Sequence, residues 1–290
     1  MKEADRLHDA AVAKLMAGQV ADARELFRRA GEMGRVEAAV IFVNFVASGR
    51  GGPRDWPGAL RLLRALARVN RRSARELAVV EAMALTAEGD PTSIPAGAVL
   101  SEVPHLTRFD GLFTPAECRY LVEAATPMLE PSVVVDTVTG RQVRDPVRSS
   151  DGVGFTWPLE NPAVHALARR IALASGTEVA QGEPLQILRY RPGQEYKTHY
   201  DAIPGWPNQR VATMLVWLNE GYEGGETWFP TPGLAVRGRP GDALLFRNVA
   251  SDGRRDSAAA HAGRPVTRGE KLLASRWIRA RPFELDQVAG

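Results

Sequence analysis

The sequence predicts an α+β protein in which an all-α helical-repeat domain precedes a sandwich or barrel of short strands. Up to about Asp90, apolar residues return at three- and four-residue steps among Ala, Leu, Arg and Glu, the period of amphipathic helices. From Leu185 onward, runs rich in aromatic and branched residues alternate with Gly, Pro, Asn and Asp, the pattern of many short strands joined by turns. Between the two, Gly89-Asp-Pro-Thr-Ser-Ile-Pro-Ala-Gly97 breaks any helix and marks a junction. The expected domains are 1–90, a linker at 91–99, and 100–290 with its core at 185–280. A chain of 290 residues is long enough for two hydrophobic cores.

Within the helical part, Ala23-Arg-Glu-Leu-Phe-Arg28 aligns with Ala59-Leu-Arg-Leu-Leu-Arg64 at a shift of 36 (23 to 59), and each is followed by a second helical run, Val36 to Ala47 and Ser73 to Leu85. The small-residue spacing and the Gly49-Arg-Gly-Gly52 turn resemble Sel1-type repeats, relatives of the tetratricopeptide class. Two units are fewer than such a stack needs, so this region is expected to pack on the second domain or on another copy as a homo-oligomer. A peptide-binding role and a purely structural one both stay open. Arg61, Arg64, Arg68, Arg71, Arg72 and Arg75 run without an intervening acid. A solvated helix face is the expected explanation, an acidic partner or RNA the sharper one. No aromatic residue interleaves with them, which argues against single-stranded nucleic acid.

Composition narrows the class further. Thirty-seven Lys and Arg against 34 Asp and Glu leave a net charge of only +3, which by itself does not argue for nucleic acid. The opening residues are too polar for a signal peptide, and the longest apolar run near them, Val40 to Val46, is far too short to span a bilayer, so a cytoplasmic, non-membrane protein is expected. The single cysteine, Cys118, excludes an internal disulfide or a thiolate-rich zinc site, fits a reducing compartment, and is expected to be buried packing.

After the junction, Val103 to Phe109 reads as a strand. Thr114-Pro-Ala-Glu117 is a capping box with proline in the first turn, opening a helix to about Met128. Val133 to Val135 reads as a strand and Asn161 to Ala174 as a helix carrying His165 on its surface. His165, His8 and His105 are read as structural, since none has a partner at ligand spacing. The strands expected beyond are Leu185–Tyr190, Tyr196–Tyr200, Val211–Leu218, Thr227–Phe229, Ala243–Phe246 and Leu272–Ile278.

His199 and Asp201 end one of these strand runs, and residues i and i+2 face the same way. With His261 they make the two-imidazole, one-carboxylate donor set that holds iron(II) with positions left open. Zinc could use the same donors, but its hydrolytic sites usually need a nearby general base and none is evident. Lys271 begins the last strand among apolar neighbours. A buried ammonium is costly unless it meets an anion, and a dicarboxylate cosubstrate would supply one. A lysine reaching out to solvent is the alternative.

The stretches Leu-Gln-Ile-Leu-Arg-Tyr190, Gly-Gln-Glu-Tyr196-Lys-Thr-His199-Tyr-Asp201, Arg210-Val-Ala-Thr-Met-Leu, Gly224-Gly-Glu-Thr227, Pro240-Gly-Asp242 and His261 to Ile278 together resemble the catalytic core of the 2-oxoglutarate and iron(II)-dependent oxygenases, in their prolyl 4-hydroxylase group. The likeness reaches back more faintly to the Phe113 helix and to Val147-Arg148-Ser-Ser150, covering about the last two thirds of the chain.

The resemblance implies a double-stranded β-helix, or jelly roll. It implies His199, Asp201 and His261 on Fe(II), and Lys271 on the distal carboxylate of 2-oxoglutarate, helped by Tyr190 and Thr227. O2 would be the second cosubstrate, succinate and CO2 the coproducts, and ascorbate a reductant. Asp201, where related halogenases have a small residue, implies hydroxylation of an unactivated C–H. Arg148, Ser150, Glu183, Tyr196, Arg210 and Trp277 match the family's peptide-proline contacts, so the expected partner is a proline-containing peptide or protein. Arg279 stands where the plant-like and algal-like enzymes have histidine, and Leu272 where tryptophan is frequent. Ala202 to Gln209 reads as a lid or pocket wall in which Trp206 is expected to pack, and Val249 to Ala260 as a mobile loop leading into His261. Two alternatives remain at this level: a hydroxylase of a free amino acid or other small molecule, and a repeat-based scaffold with a vestigial barrel.

Overall fold

Side-chain caps set where several helices begin. Asp55 accepts from the Gly58 amide at 2.8 Å and Asn70 from the Ser73 amide at 3.0 Å, each holding a first-turn N–H with no partner inside its helix. The computed structural model describes residues 2–135, 142–144 and 147–283. Its helices are α1 (Glu3–Met16), α2 (Val20–Glu32), α3 (Val36–Ser48), α4 (Trp56–Ala67), α5 (Arg71–Ala82), α6 (Pro115–Ala125) and α7 (Pro162–Ser175). The chain separates into two units, one holding Met1–Ser93 and Phe155–Arg170, the other Ile94–Gly154 and Ile171–Phe283.

In the first unit, α1 to α5 pack in succession. Phe27 and Phe45 meet edge to face at 6.0 Å among the buried Ala11, Ala23, Ala30 and Ala38. Small residues let the helices approach: a Cβ at Gly31 would stand 2.9 Å from the Ala39 Cα. The two helical runs that follow the repeated segment are α3 and α5, and the N-terminal region is helical as expected. Arg61, Arg64, Arg68, Arg71, Arg72 and Arg75 are all exposed, and Arg64 pairs with Glu81 at 2.9 Å. The 155–170 segment joins this unit through particular contacts. Trp157 packs on the Phe27 and Phe45 cluster, the Asn44 amide donates to the Pro158 carbonyl at 2.7 Å, and Arg50 lies over the Trp157 ring. His165 corrects the sequence reading: it is 3% exposed, with Nδ1 2.7 Å from Glu160, because its face of α7 is buried.

The second unit is built from strands: β1 (Gly97–Glu102), β2 (His105–Phe109), β3 (Glu130–Pro131), β4 (Val133–Val135), β5 (Gln142–Arg144), β6 (Asp151–Phe155), β7 (Leu185–Tyr190) and β8 (Tyr196–His199). There follow β9 (Arg210–Trp217), β10 (Glu223–Gly224), β11 (Thr227–Phe229), β12 (Leu234–Val236), β13 (Ala243–Arg247), β14 (His261–Gly263), β15 (Val266–Arg268) and β16 (Lys271–Arg279). An eight-stranded sheet runs β1-β2-β13-β9-β16-β7-β6-β3 and a four-stranded one β12-β11-β14-β8. Phe229 of the small sheet meets Phe246 of the large one at 5.2 Å, and Trp217, Leu244, Leu188 and Leu273 complete the core. The expected capping box at Thr114 is formed, with the Thr114 amide donating to Glu117 at 2.7 Å, and α6 packs against β7. Cys118 is buried, and burial pushes its thiol up to about 12, so it is inert at neutral pH.

A buried carboxyl in the helical unit yields a testable pH dependence. Glu76 accepts from the Ala163 amide at the start of α7, and burial pushes its carboxyl from 4.5 to about 8. Between those values the folded protein keeps a proton that the unfolded chain has lost, so stability falls as pH rises across that window. Glu76→Gln removes the titration. Its melting temperature relative to the parent should therefore climb from about pH 5 to about pH 8 in thermal melts, whereas a constant difference would show that Glu76 ionises normally.

Candidate metal centre

Strand register brings the ligand candidates together. β14 pairs antiparallel with β8 so that His261 lies directly opposite His199, which places both imidazoles on one face with centroids 4.3 Å apart. Asp201 follows two residues beyond His199, where β8 has ended in a bend. Its Oδ1 lies 3.6 Å from His199 Nε2 and its Oδ2 3.6 Å from His261 Nε2. The three candidate donor atoms lie within 4.8 Å of one another, a separation that suits donors around one ion.

Backbone carbonyls fix the imidazole tautomers. His199 Nδ1 donates to the Lys197 carbonyl at 2.8 Å and His261 Nδ1 to the Ala259 carbonyl at 3.0 Å, so each Nε2 offers a lone pair toward Asp201. Burial, opposed by Asp201, depresses His261 to about 4, keeping it neutral and ready to ligate at physiological pH. Burial resists ionisation of Asp201, but the two histidines and a hydroxyl hold its carboxyl well below the usual range.

That hydroxyl belongs to Thr213 on β9, a residue the sequence reading did not single out. Thr213 donates to Asp201 Oδ2 at 2.6 Å and accepts from the Asn248 amide at 2.9 Å, and all three residues are buried. One carboxylate oxygen thus accepts from Thr213, and each of the two lies 3.6 Å from one of the Nε2 atoms. The available signal was polarity at core positions: Thr213 interrupts an apolar strand, and Asn248 follows one.

At the other end of the cavity Lys271 is 2% exposed, and burial, partly offset by Glu226, lowers its ammonium to about 8. It did not reach out to solvent. Its Nζ donates to the Gly225 carbonyl at 2.6 Å, and β16–β7 pairing sets it opposite Tyr190. The Gly224-Gly225 pair has a structural cause: both have positive φ, and a Cβ would stand 2.3 Å from the Pro265 carbonyl at Gly224 and 3.1 Å from the Lys271 side chain at Gly225. Tyr190, Thr227, Tyr196 and Trp277 line the same cavity as the histidines, Asp201 and Lys271.

The remaining expected contacts lie around this cavity rather than in its lining. Tyr196 stacks on His199 at 3.4 Å, with the Arg148 guanidinium 5.4 Å from its ring. Arg210 lies 3.6 Å over Trp277 and makes a bidentate pair with Glu183 at 2.6 and 2.9 Å. Ser150 is buried, with its hydroxyl 3.0 Å from that of Ser132. Arg279 is 2% exposed, paired with Glu183 at 2.6 Å, donating to the Asn208 carbonyl at 2.7 Å and facing Trp206 at 5.4 Å. The 202–209 segment is closed on itself by Gln209, which bonds both the amide and the carbonyl of Ile203. The loop before His261 is closed by a Val249–Arg255 bridge and by Asp256, which caps a short helical turn at Ser257–Ala259.

With this geometry in place, residues 185–279 match the 2OG-Fe(II) oxygenase superfamily. Prolyl 4-hydroxylase 1 of Arabidopsis thaliana is 38% identical over 200 residues, 62% of this chain and 71% of that protein. Probable prolyl 4-hydroxylase 10 of the same plant is 33% identical over 211 residues, 64% of this chain and 73% of that protein. Among solved structures, the viral collagen prolyl hydroxylase of Paramecium bursaria Chlorella virus-1 with 2OG is similar over 61% of this chain and 96% of that one, at 28% identity and a TM-score of 0.49.

Two outcomes test the geometry. Thr213→Val frees Asp201 Oδ2 and should weaken Co(II) or Fe(II) binding by roughly tenfold or more, with Thr213→Ser restoring it; unchanged affinity would mean the hydroxyl does not position the carboxylate. Because Lys271 is charged below about pH 8 and neutral above, the Kd of 2-oxoglutarate for the Mn(II)-loaded protein should be flat below that pH and rise above it by up to about tenfold per unit. Lys271→Met should bind weakly and lose that dependence, as read by calorimetry.

Proposed function

We propose, from the premise that the chain belongs to the 2OG-Fe(II) oxygenase superfamily in its prolyl 4-hydroxylase branch, that it hydroxylates proline in a peptide or protein. It is a dioxygenase that uses Fe(II) and 2-oxoglutarate. The observation that carries the reading is the pairing of two features in one cavity. A His-Asp-His donor set with both Nε2 atoms converging lies at one end, and at the other lies a buried ammonium that donates to a carbonyl and forms no ion pair with a carboxylate among the described residues. A buried cation without a carboxylate against it fits a dicarboxylate whose distal end it would neutralise.

His199, Asp201 and His261 hold the metal, and Lys271, Tyr190 and Thr227 hold the cosubstrate's distal carboxylate. Iron and 2-oxoglutarate together supply the oxidation of an unactivated C–H by O2, with succinate and CO2 as coproducts. The residues of this chain supply position. The Lys197 and Ala259 carbonyls accept from the two Nδ1 atoms and so aim both Nε2 atoms at the site, and the Thr213 hydroxyl anchors the Asp201 carboxylate. Leu188, Leu215 and Leu273 give the cavity an apolar lining that limits water around the reacting centre. Tyr196, Trp277, Arg210, Glu183, Arg148 and Ser150 belong to the substrate side, the first two in the lining itself.

We read the facing eight- and four-stranded sheets as a double-stranded β-helix. The two helix pairs, at 1–90, are degenerate Sel1-like repeats in this reading, 100–290 is the oxygenase domain apart from residues 155–170, which pack with the helices, and ascorbate is the reductant. The single buried cysteine fits a reducing compartment, and the cytoplasm is part of the proposal. Among the described residues no helix is long and apolar enough to cross a membrane.

Incubated with Fe(II), 2-oxoglutarate and short proline peptides, the protein should form succinate in step with a one-oxygen mass gain on the peptide, and His199→Ala should abolish both. Coupled turnover with free amino acids alone would overturn the peptide assignment.

A further inference from the structure

The cavity lining contains one carboxylate, Asp201, and two cations, Lys271 deep inside and Arg264 on an exposed segment. Lys271 is accounted for by the cosubstrate, whereas Arg264 is not used by any step above. Its guanidinium lies 4.2 Å over the Trp228 ring and forms no ion pair with a carboxylate among the described residues. Two other guanidiniums are held on aromatic faces, one on a lining residue and one on a residue flanked by two of the candidate ligands. Arg255, exposed and likewise without an acidic partner among the described residues, lies 4.2 Å over Tyr200, the residue between His199 and Asp201. Arg210 lies over the lining residue Trp277, and the one acid it pairs with among the described residues, Glu183, is shared with Arg279. Two guanidiniums on one carboxylate leave a positive charge in excess.

An arginine stacked on a ring is held at low entropic cost, so its charge is fixed in place before a ligand arrives. Several such charges around a cleft with an apolar interior add to one field of one sign.

We propose that this arginine-rich surround selects acidic substrates: the target segment carries Asp or Glu close to the residue that enters the cavity, and Arg264 in the lining receives the carboxylate. The inference rests on the reading of the site as a peptide hydroxylase.

The test uses the full-length protein loaded with 2-oxoglutarate and four peptides of one length: proline flanked by Glu, by Gln and by Lys, and the Glu-flanked peptide with alanine in place of proline. Binding is read by fluorescence anisotropy with Co(II), and kcat and KM by succinate release with Fe(II). The Glu-flanked proline peptide should exceed the Lys-flanked one by about tenfold or more in kcat/KM, mainly through KM, and the gap should shrink as salt is raised. Arg264→Glu should reverse the order. Arg264→Gln, which removes the charge without inverting it, should narrow the gap and serves if the reversal variant does not fold. Equal use of all three proline peptides would overturn the acidic selection and leave proline hydroxylation standing. Tight binding of both Glu-flanked peptides with no oxygen gain on any proline would overturn the proline reading and leave the acidic selection standing.

Discussion

Two peptide carbonyls, those of Lys197 and Ala259, decide which way two imidazoles face. A histidine has two nitrogens of similar basicity, and the proton sits on whichever one has an acceptor waiting. Here each Nδ1 meets a carbonyl two residues earlier in its own strand or turn, so the lone pairs converge on Asp201 without contribution from any residue far along the chain. What the rest of the fold must then do is bring β8 and β14 into register, because a slip by one residue would turn one imidazole to the opposite face of the sheet. The packing of Phe229 and Phe246 against the His261 ring, at 5.5 and 4.6 Å, fixes that register from the core side.

The cavity is arranged along an electrostatic gradient. A carboxylate held ionised by its neighbours lies at one end and an ammonium weakened by burial at the other, with leucine side chains between. Neither charge is comfortable alone. Asp201 gains from two imidazoles and the Thr213 hydroxyl, whereas Lys271 has one carbonyl and a more distant Glu226. The imbalance belongs to a protein whose stability is given up locally so that a ligand can supply what is missing.

Much of this was legible in the sequence for reasons that can be named. H-x-D works because two alternate positions at a strand end share a face, and the Thr114 capping box because its partners are three residues apart, whereas Gly224-Gly225 stood out only through the resemblance and its positive φ beside Lys271 is visible only in the fold. The strands from β7 onward appeared wherever branched and aromatic runs were long, as at β9 and β16. Those missed, β10, β12, β14 and β15, have two or three residues each and take their shape from their neighbours rather than from their own composition. Thr213 and Asn248 escaped because a single polar residue beside a strand says nothing about what lies across the barrel. His165 was misplaced because a helix periodicity tells which residues share a face and not which face is covered. The last residues of the expected 100–290 domain, beyond 283, fall outside the described residues.

The 155–170 segment has an implication for how the chain can be divided. It leaves the strand-rich unit after β6, delivers Trp157 and Pro158 to the helices and the start of α7 to Glu76, and then returns to the oxygenase portion. Excising the first 93 residues as though they were a detachable tag would strip the indole of its hydrophobic bed and the first turn of α7 of its carboxyl cap. The catalytic portion would then carry an apolar wound in the middle of its own sequence. The helical region is, in this sense, woven into the enzyme, and a gene trimmed to the matched family segment would encode an incomplete molecule.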